Sequence, residues 1–277
     1  MKGAKRTTTY LFRKNVRDVM DGHLDRSTLF AFDLDGTLAP IASSPDAIGI
    51  PAGICREMTI LSGLAVIAII TGRSRRDALR HLAFEPHYLI GNHGAEGLPG
   101  WNDRTLEFTR TVGRWQDQLE ALLPAREQNG IMIENKGATL SIHYRQSAGG
   151  KVTRHLIVQA VRRLEPKPRL ISGIFVENLI PRDAPDKGAA LRILMQETRL
   201  LKSFFAGDDE TDEEVFRSGD GNIFTVRVGR KAGSHARYYV KDQREVIRLL
   251  RLINRILGRK QISPPPGYLR FRDGGKG

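Results

Sequence analysis

Four short apolar runs, each followed at once by a polar segment rich in glycine or acidic residues, limit the choice of fold for this chain. They are the segments 29–32, 64–70, 88–90 and 204–206. Continuous apolar runs without alternation are typical of strands buried on both faces of a parallel sheet. In doubly wound α/β sheets, functional sites form where such strands end. We therefore predict a doubly wound parallel α/β sheet, with further strands at 223–228 and 238–240.

The residues between Leu98 and Pro181 do not continue this pattern. They show two helical stretches and four short strands, with helices at 106–123 and 152–164 and strands at 131–134, 139–144, 170–172 and 174–177. A segment of this length and patterning is not a loop. We predict an inserted α+β cap domain at 99–181, which interrupts a core domain formed by 27–98 and 182–257.

Positive charge is concentrated at the two ends of the chain. The net charge is +13, of which the basic N-terminal segment 1–26 carries +4 and the segment 241–277 carries +7. Such ends bind nucleic acid or anionic surfaces in some proteins, but a solvated tail is the commoner case and the one we favour. The stretch 245–257 has one apolar and one arginine-rich face, which favours a helix covering the core sheet over a helix lying on a membrane. We expect the basic tail 258–277, which contains three consecutive prolines, to be disordered.

Cysteine content and hydropathy point to a cytoplasmic protein. Cys55 is the single cysteine, so no disulfide can form within the chain. The longest uncharged apolar stretch, 58–72, is too short to cross a bilayer, and we expect no membrane span. The sequence does not indicate the oligomeric state.

Two acidic motifs follow two of the predicted strands. Asp33 and Asp35 stand in the string DLDGTLAP after the run 29–32, and the cluster GDDETDE at 207–213 follows the run 204–206. Either motif alone would suit a helix cap or a solvated loop. Carboxylates brought together at the ends of buried strands repel one another unless a cation lies between them. The candidate ligands are all oxygen atoms, which favours Mg²⁺ over Zn²⁺ as the cofactor.

Two further segments suit a phosphate bound at that metal. Thr71, Gly72 and Arg73 end one predicted strand and begin a helix, where a hydroxyl and free backbone N–H groups are available. Lys187 begins the helix after the cap and offers a point charge to phosphate oxygens.

These motifs resemble those of the haloacid dehalogenase superfamily of aspartate-based phosphatases, and they occur in the same order. The resemblance implies that Asp33 is the nucleophile and forms an aspartyl phosphate. It implies that Asp35 protonates the leaving oxygen and later activates water. Thr71 and Lys187 would complete the catalytic set by orienting the phosphoryl group and offsetting its charge.

The same resemblance implies a metal site. Asp208 would bind Mg²⁺ together with the carboxylate of Asp33 and the backbone carbonyl of Asp35. Asp212, with Asp209, would hold these metal ligands in place.

Six strings resemble more narrowly the trehalose-6-phosphate phosphatases, a family of capped sugar-phosphate phosphatases. They are DLDGTLAPI from position 33, GNHGAE at 91–96, ENKG at 134–137, HYR at 143–145, DKGAAL at 186–191 and GDDETDEEVF at 207–216. The resemblance spans roughly residues 27–257. It implies Mg²⁺-dependent hydrolysis of a small-molecule sugar phosphate, trehalose 6-phosphate, as the last step of trehalose synthesis.

Polar residues around the predicted cleft suit a sugar ligand, whose hydroxyls need donors and acceptors at fixed positions. The candidate substrate-binding residues are Arg73, His93, Glu134, Lys136, Arg145 and Glu177. The residues on the hairpin 131–144 equally suit cross-strand ion pairs facing solvent. His93 equally suits a structural turn.

One segment departs from the family pattern, which has Glu, an apolar residue, a basic residue and Pro before the lysine. In an alignment on Pro181, Asn178 falls at the Glu position and Ile180 at the basic position. A one-residue bulge would restore Glu177 to the acidic position. The departure leaves open a phosphatase of another glycoside, such as sucrose phosphate or glycosylglycerol phosphate. A non-catalytic sugar-phosphate sensor or anion-binding scaffold is a third alternative, and the intact acidic motifs argue against it.

Overall fold

Seven strands form one parallel sheet in this computed structural model, which describes residues 8–42, 47–125 and 130–260. In spatial order they are β1 (Thr9–Tyr10), β11 (Tyr238–Val240), β10 (Ile223–Val228), β9 (Lys202–Gly207), β2 (Thr28–Phe32), β3 (Ile67–Ile70) and β4 (Tyr88–Ile90). Every neighbouring pair is parallel. The predicted parallel sheet is therefore confirmed.

Helices cover both faces of this sheet, which makes it doubly wound. One face carries α1 (Lys14–His23), α2 (Ala52–Ser62), α3 (Arg75–His81) and α8 (Val246–Arg259), and the other carries α6 (Lys187–Thr198) and α7 (Glu213–Phe216). Phe30 and Phe32 of β2 point into the first hydrophobic core, whereas Leu29 and Ala31 point into the second. Because both faces are buried, this strand shows no alternation in the sequence.

Residues 102–180 build a second, antiparallel sheet with two helices on one face. Its strands, in spatial order, are β5 (Met132–Asn135), β6 (Leu140–His143), β8 (Val176–Ile180) and β7 (Arg169–Gly173), and its helices are α4 (Asn102–Leu122) and α5 (Gly150–Val161). Trp115 of α4 is fully buried in the resulting core and donates a hydrogen bond from Nε1 to the Pro166 carbonyl at 2.6 Å. The other sheet face carries polar side chains such as Asn178 together with apolar ones such as Ile171 and Ile180. Its edge near Ile180 packs against Ala95 and Ala184 of the first unit, so this face lies over the carboxyl edge of the parallel sheet.

The N-terminal segment differs from the expectation based on its charge. The sequence predicts a basic segment at 1–26 apart from the core, but β1 extends the parallel sheet and α1 packs into the first hydrophobic core. Four apolar side chains of this segment are buried, but the basic residues between them dominate its composition and hide the apolar pattern. The four are Leu11, Val16, Met20 and Leu24. The predicted C-terminal helix is confirmed, because the apolar face of α8 is buried in the same core. The predicted disordered tail lies outside the described residues from position 261 onward.

The second strand of the last hairpin is shifted from its predicted position. The chain turns at residues 174–175, where Phe175 adopts a left-handed φ of 57°, and β8 then continues to Ile180 rather than ending at 177. None of the helices in the described part of the chain is long and apolar enough to cross a lipid bilayer.

Candidate active site

Three adjacent strands bring the acidic motifs and the threonine together. Strand β2 lies between β9 and β3, and Asp33, Asp208 and Thr71 each follow the last residue of one of these strands. The backbone N–H of Asp33 donates to the Ala206 carbonyl at 2.9 Å, which holds the first motif against the end of β9. The strand order therefore places residues from distant parts of the chain at one sheet edge.

A buried lysine joins two of the carboxylates. Lys187, the first residue of α6, donates from Nζ to Asp33 Oδ1 at 2.7 Å and to Asp212 Oδ1 at 2.8 Å. Burial alone would lower the pKa of Lys187, but the Asp212 and Asp33 carboxylates outweigh burial and raise it well above its ordinary value. Burial raises the pKa of Asp33 well above its ordinary value, although Lys187 opposes this shift. The ammonium group offsets only part of the negative charge around it.

Asp212 organises the acidic loop through its second oxygen. Oδ2 accepts hydrogen bonds from the backbone N–H groups of Asp208 at 2.7 Å and Asp209 at 2.9 Å. A Cβ atom on Gly207 would lie 2.2 Å from Asp212 Cγ, so the turn requires glycine at this position. Both carboxylate oxygens of Asp212 are thus already hydrogen-bonded within the protein.

Carboxylate oxygens of Asp33, Asp208 and Asp212 lie within 4.8 Å of one another. Burial, together with Asp212 and Asp209, raises the pKa of Asp208 to about 7. An all-oxygen donor set with excess negative charge fits a hard divalent cation. Because Asp212 already accepts three hydrogen bonds, Asp33 and Asp208 are the members with greater freedom to act as ligands. Gly36 has a φ of 77°, and a Cβ there would lie 2.2 Å from Asp208 Oδ2, so glycine allows the two acidic motifs to approach each other.

The second aspartate of the first motif is held by an arginine. Arg73 donates from Nε and Nη2 to the two carboxylate oxygens of Asp35, each at 2.8 Å, and from Nη1 to Asp77 at 2.6 Å. Burial opposes the charge of Arg73, but these two acids raise its pKa further. Arg73, predicted to bind substrate, is therefore engaged with Asp35 in this conformation.

Thr71 and His93 lie beside each other in neighbouring loops. The buried Thr71 accepts a hydrogen bond from the Arg73 N–H at its Oγ1 (3.2 Å), and its carbonyl accepts one from the His93 N–H (2.9 Å). Burial, followed by the charge of Lys187, lowers the pKa of His93 to about 3. The His93 ring is therefore neutral at physiological pH, and its buried Nδ1 atom has no hydrogen-bond partner among the described residues.

The cap contributes charged side chains from its open face. Glu134 Oε2 lies 2.8 Å from His143 Nε2 and 3.6 Å from Lys136 Nζ. The hydrogen bond from His143 is the main cause that lowers the pKa of Glu134. The Glu134–His143 contact joins the two strands, as the hairpin alternative predicts, whereas Glu134 and Lys136 lie two positions apart on one side of the hairpin.

Asn92 ties the core loop to the cap turn. Its Nδ2 donates to the Lys136 carbonyl at 3.0 Å, and its Oδ1 accepts from Thr139 Oγ1 at 2.7 Å. Asn92 is fully buried and has a left-handed φ of 51°, a conformation that asparagine tolerates better than most residues. The turn of the first cap hairpin is thereby held next to His93.

The predicted placement of Glu177 in the substrate site is wrong. Strands β6, β7 and β8 pair without a bulge, so side chains alternate regularly along β8. Glu177 faces the helices, where Arg154 Nε and Ser172 Oγ donate to its carboxylate, each at 2.6 Å. Asn178 occupies the open face instead, and its Oδ1 accepts from Ser141 Oγ at 2.7 Å.

The structure also separates Arg145 from the site and adds Arg169. Arg145 is exposed and follows the end of β6 that lies farther from Asn92. It makes no hydrogen bond or ion pair to a described residue. Arg169 lies on the open face directly opposite Ile180, at the end nearest the core. Its Nη2 lies 3.4 Å from the Pro185 carbonyl, and its Nε is buried without a hydrogen-bond partner among the described residues.

Arg227 is a further residue that the sequence does not single out. It projects from β10, donates from Nη1 to Glu213 at 3.0 Å and to the Asp209 carbonyl at 3.1 Å, and also hydrogen-bonds the Asp208 carbonyl through Nη2. A lone arginine in an apolar strand is the signal that points to such a role, because a buried cation requires partners.

The segment 31–243, which contains every motif of the site, matches the sequence model described as trehalose-phosphatase. This match covers well over half of the chain. The chain belongs to the trehalose-phosphatase family. Its parallel core with an inserted cap sheet is the haloacid-dehalogenase-like phosphatase fold, as predicted.

Relatives in the trehalose-phosphatase family include the trehalose-phosphate phosphatase of Mycolicibacterium paratuberculosis, which is 29% identical over 212 residues. This match covers 71% of the present chain and 52% of the relative, so the chain spans about half the length of the curated relatives it matches. A crystal structure described as a trehalose-6-phosphate phosphatase related protein is similar with a TM-score of 0.68 and 25% identity, covering 83% of this chain and 98% of that chain. The trehalose-6-phosphate phosphatase of Aspergillus fumigatus has a TM-score of 0.60 and 25% identity, with coverage of 90% and 99%.

Proposed function

We propose that this chain hydrolyses trehalose 6-phosphate to trehalose and phosphate in a Mg²⁺-dependent reaction. The observation that carries the proposal is the buried Lys187 between Asp33 and Asp212, beside Asp208, at the sheet edge beneath a polar cap face. Membership of the trehalose-phosphatase family and the names of the relatives support this substrate.

Asp33 and Asp208 are the residues that we expect to hold the cation, with the Asp35 backbone carbonyl as a further oxygen. When bound, Mg²⁺ would offset the negative charge of the phosphoryl group and of the carboxylates. Asp212 supports the site by fixing the acidic loop and Lys187.

Asp33 acts as the nucleophile in this proposal. Its carboxylate oxygen attacks the phosphorus atom, the bond from phosphorus to the sugar oxygen breaks, and that oxygen receives a proton from Asp35. Water then attacks the aspartyl phosphate, Asp35 takes a proton from this water, and phosphate leaves as Asp33 is restored. Thr71 and Lys187 orient the phosphoryl oxygens throughout.

The Arg73–Asp35 pair has to open for this chemistry. Arg73 holds both carboxylate oxygens of Asp35, yet one of these oxygens has to reach the sugar oxygen to transfer a proton. We expect the phosphoryl group to draw Arg73 away from Asp35, which frees the Asp35 carboxyl group when substrate binds.

In this proposal, side chains of the cap recognise the sugar. Lys136 and Arg169 lie near enough to His93 for their charges to lower its pKa, and Glu134 contacts Lys136. Arg169 also has a buried Nε donor without a hydrogen-bond partner among the described residues. The unit 99–181 would close over 27–98 and 182–257 by bending near residues 98–100 and 178–184, which would exclude bulk water. We expect Arg169→Gln to raise KM for trehalose 6-phosphate at least about tenfold while changing p-nitrophenyl phosphate hydrolysis less than about twofold.

Phosphate release from four esters tests the proposed activity. The panel is trehalose 6-phosphate, sucrose 6-phosphate, glucose 6-phosphate and p-nitrophenyl phosphate, each with Mg²⁺ and with chelator. Asp33→Asn should abolish turnover, whereas Asp117→Asn, an exposed aspartate on α4, should not. Turnover that persists in Asp33→Asn would refute the nucleophile assignment.

A second substrate class is supported by the open face of β8. Asn178 places a neutral amide, not a carboxylate, beside the cleft. Preference for sucrose 6-phosphate or another glycoside phosphate in the same panel would establish this alternative and leave the core chemistry in place.

A further inference from the structure

The two basic ends of the chain meet in one groove. Five arginines line this basic groove, two at the start of α1 and three on α8, namely Arg13, Arg17, Arg248, Arg251 and Arg255. The groove is open to solvent and has a volume of about 400 Å³, and its apolar lining consists of Leu11, Phe12 and Leu252. None of these residues belongs to the candidate active site. Separate charge runs at the two chain ends therefore become one concentrated positive surface.

Acidic side chains leave most of this charge unbalanced. Arg251 Nε lies 3.3 Å from Glu57, and the Arg248 guanidinium lies 3.9 Å from the centroid of the Phe12 ring. Arg13, Arg17 and Arg255 make no ion pair with any residue in the described ranges. Like charges held together at this density repel one another, so a bound anion would lower the electrostatic energy.

The chain's own ends do not supply that anion. The terminal segments outside the described ranges, 1–7 and 261–277, contain six lysines and arginines and a single acid, Asp273. They add positive charge instead of complementing it, so these segments do not match the charge of the groove.

The shape of the groove indicates the class of ligand. A cavity of this size is in the range of small-molecule sites, which span about 300–1,000 Å³. Arginine binds phosphate oxygens in a bidentate manner, and five of them suit more than one phosphate group. The apolar lining suits a planar or apolar group attached to those phosphates. A flat membrane surface would be met by exposed apolar residues, whereas the apolar residues here are buried or half-buried.

We propose that the basic groove binds a small molecule carrying two or more phosphate groups, of the nucleoside polyphosphate class. This site goes beyond the proposed phosphatase activity and does not depend on it. The arginines contact the phosphates, and the nucleoside packs on the half-buried side chains of Phe12 and Leu252.

Calorimetric titration with ATP tests this proposal. The titration is done at low salt with chelator, which removes the divalent cation needed at the candidate active site. We expect the wild type to bind ATP and the double variant Arg17→Gln/Arg255→Gln to bind it at least about tenfold more weakly, since two charge-assisted contacts are lost. The matched control Arg163→Gln/Arg192→Gln removes the same charge from exposed positions on the cap and on α6 and should bind like the wild type.

Four outcomes would overturn the proposal. The first is that the wild type does not bind ATP, and the second is that the groove variant binds ATP as tightly as the wild type. The third is that the groove and control variants lose the same amount of ATP affinity. The fourth is that the groove arginines are needed only for binding single-stranded RNA or anionic lipid vesicles. Tripolyphosphate should bind more weakly than ATP because it cannot use the apolar lining, and equal affinity would refute the nucleoside part. Circular dichroism and unchanged hydrolysis of p-nitrophenyl phosphate would show that the groove variant is folded.

Discussion

Replacing Lys187 by methionine would expose the electrostatic balance of the site. Lys187 is the cation between the buried carboxylates of Asp33 and Asp212, at 2.7 and 2.8 Å. Methionine keeps much of the side-chain volume and removes the charge, so the change isolates the ion pairs from packing. Both carboxylates have raised pKa values even with the lysine present, because burial disfavours their charged forms.

The expected loss follows from removing one partner of a buried ion pair, which costs about 3–5 kcal/mol. For a protein of this size, about 1 kcal/mol corresponds to 2–4 °C in Tm, so Tm should fall by about 6–20 °C. Adding Asp33→Asn to Lys187→Met removes one of the unpaired charges and should recover at least about 1 kcal/mol of the free energy of unfolding. Mg²⁺ should stabilise the Lys187→Met variant more than the wild type, because the cation would offset the same carboxylates.

Urea unfolding at neutral pH, with chelator, measures these differences. Lys151→Met, at an exposed lysine of α5, is the matched control and should change stability by less than about 0.5 kcal/mol. A loss below about 1 kcal/mol in Lys187→Met, or a double variant less stable than Lys187→Met, would refute the charge argument.

Three further changes test the surroundings of the site. Burial raises the pKa of Glu214 from 4.5 to about 7, so the contribution of Glu214 to stability declines as pH rises from 4.5 to 7. Glu214→Gln should leave the free energy of unfolding unchanged at pH 5 and raise it by about 2 kcal/mol at pH 8, a figure reduced for the partial exposure of the side chain. Equal effects at both pH values would contradict this prediction. A Cβ on Gly72 would lie 2.5 Å from His93 Cε1, so Gly72→Ala should lower kcat/KM at least about tenfold, whereas Gly63→Ala, whose Cβ has 3.5 Å of space, should keep activity. Asn92→Ala removes hydrogen bonds between core and cap and should lower the free energy of unfolding by about 2–3 kcal/mol in urea titrations; a loss below about 0.5 kcal/mol would show that this link does not hold the cap.

The core strands are predictable because each is buried on both faces. A run such as 64–70, followed by a polar loop and a helical stretch, fits few structures other than a buried parallel strand. The N-terminal elements are not predictable in this way. Strand β1 has two residues, and the apolar face of α1 is masked by the surrounding charge.

The acidic part of the site is predictable for a similar reason. Asp33 and Asp208 follow strands that become neighbours, and the chemistry of their side chains restricts what can lie between them. The cap face is different, because side chains on a strand alternate with a period of two residues. An error of one position therefore moves a side chain to the opposite face, which is why Glu177 was assigned to the wrong one.

Arg169 carries no local pattern that points to the site, and it reaches the site only through the pairing of β7 with β8. Asn92 lies in the GNHGAE string, but that string does not indicate the contacts of Asn92 with a cap turn more than forty positions away in the sequence. Such contacts follow from strand register and tertiary packing.

The most direct test of the central claim is to look for the phosphorylated nucleophile. The protein is mixed with trehalose 6-phosphate and Mg²⁺, quenched in acid within the first turnover, digested and analysed by mass spectrometry. We predict a phosphoryl group on the peptide containing Asp33, at the wild-type residue and not in Asp33→Asn. Release of phosphate from trehalose 6-phosphate by an Asp33→Asn variant, or rapid turnover with the phosphoryl group found on a different residue, would contradict the account.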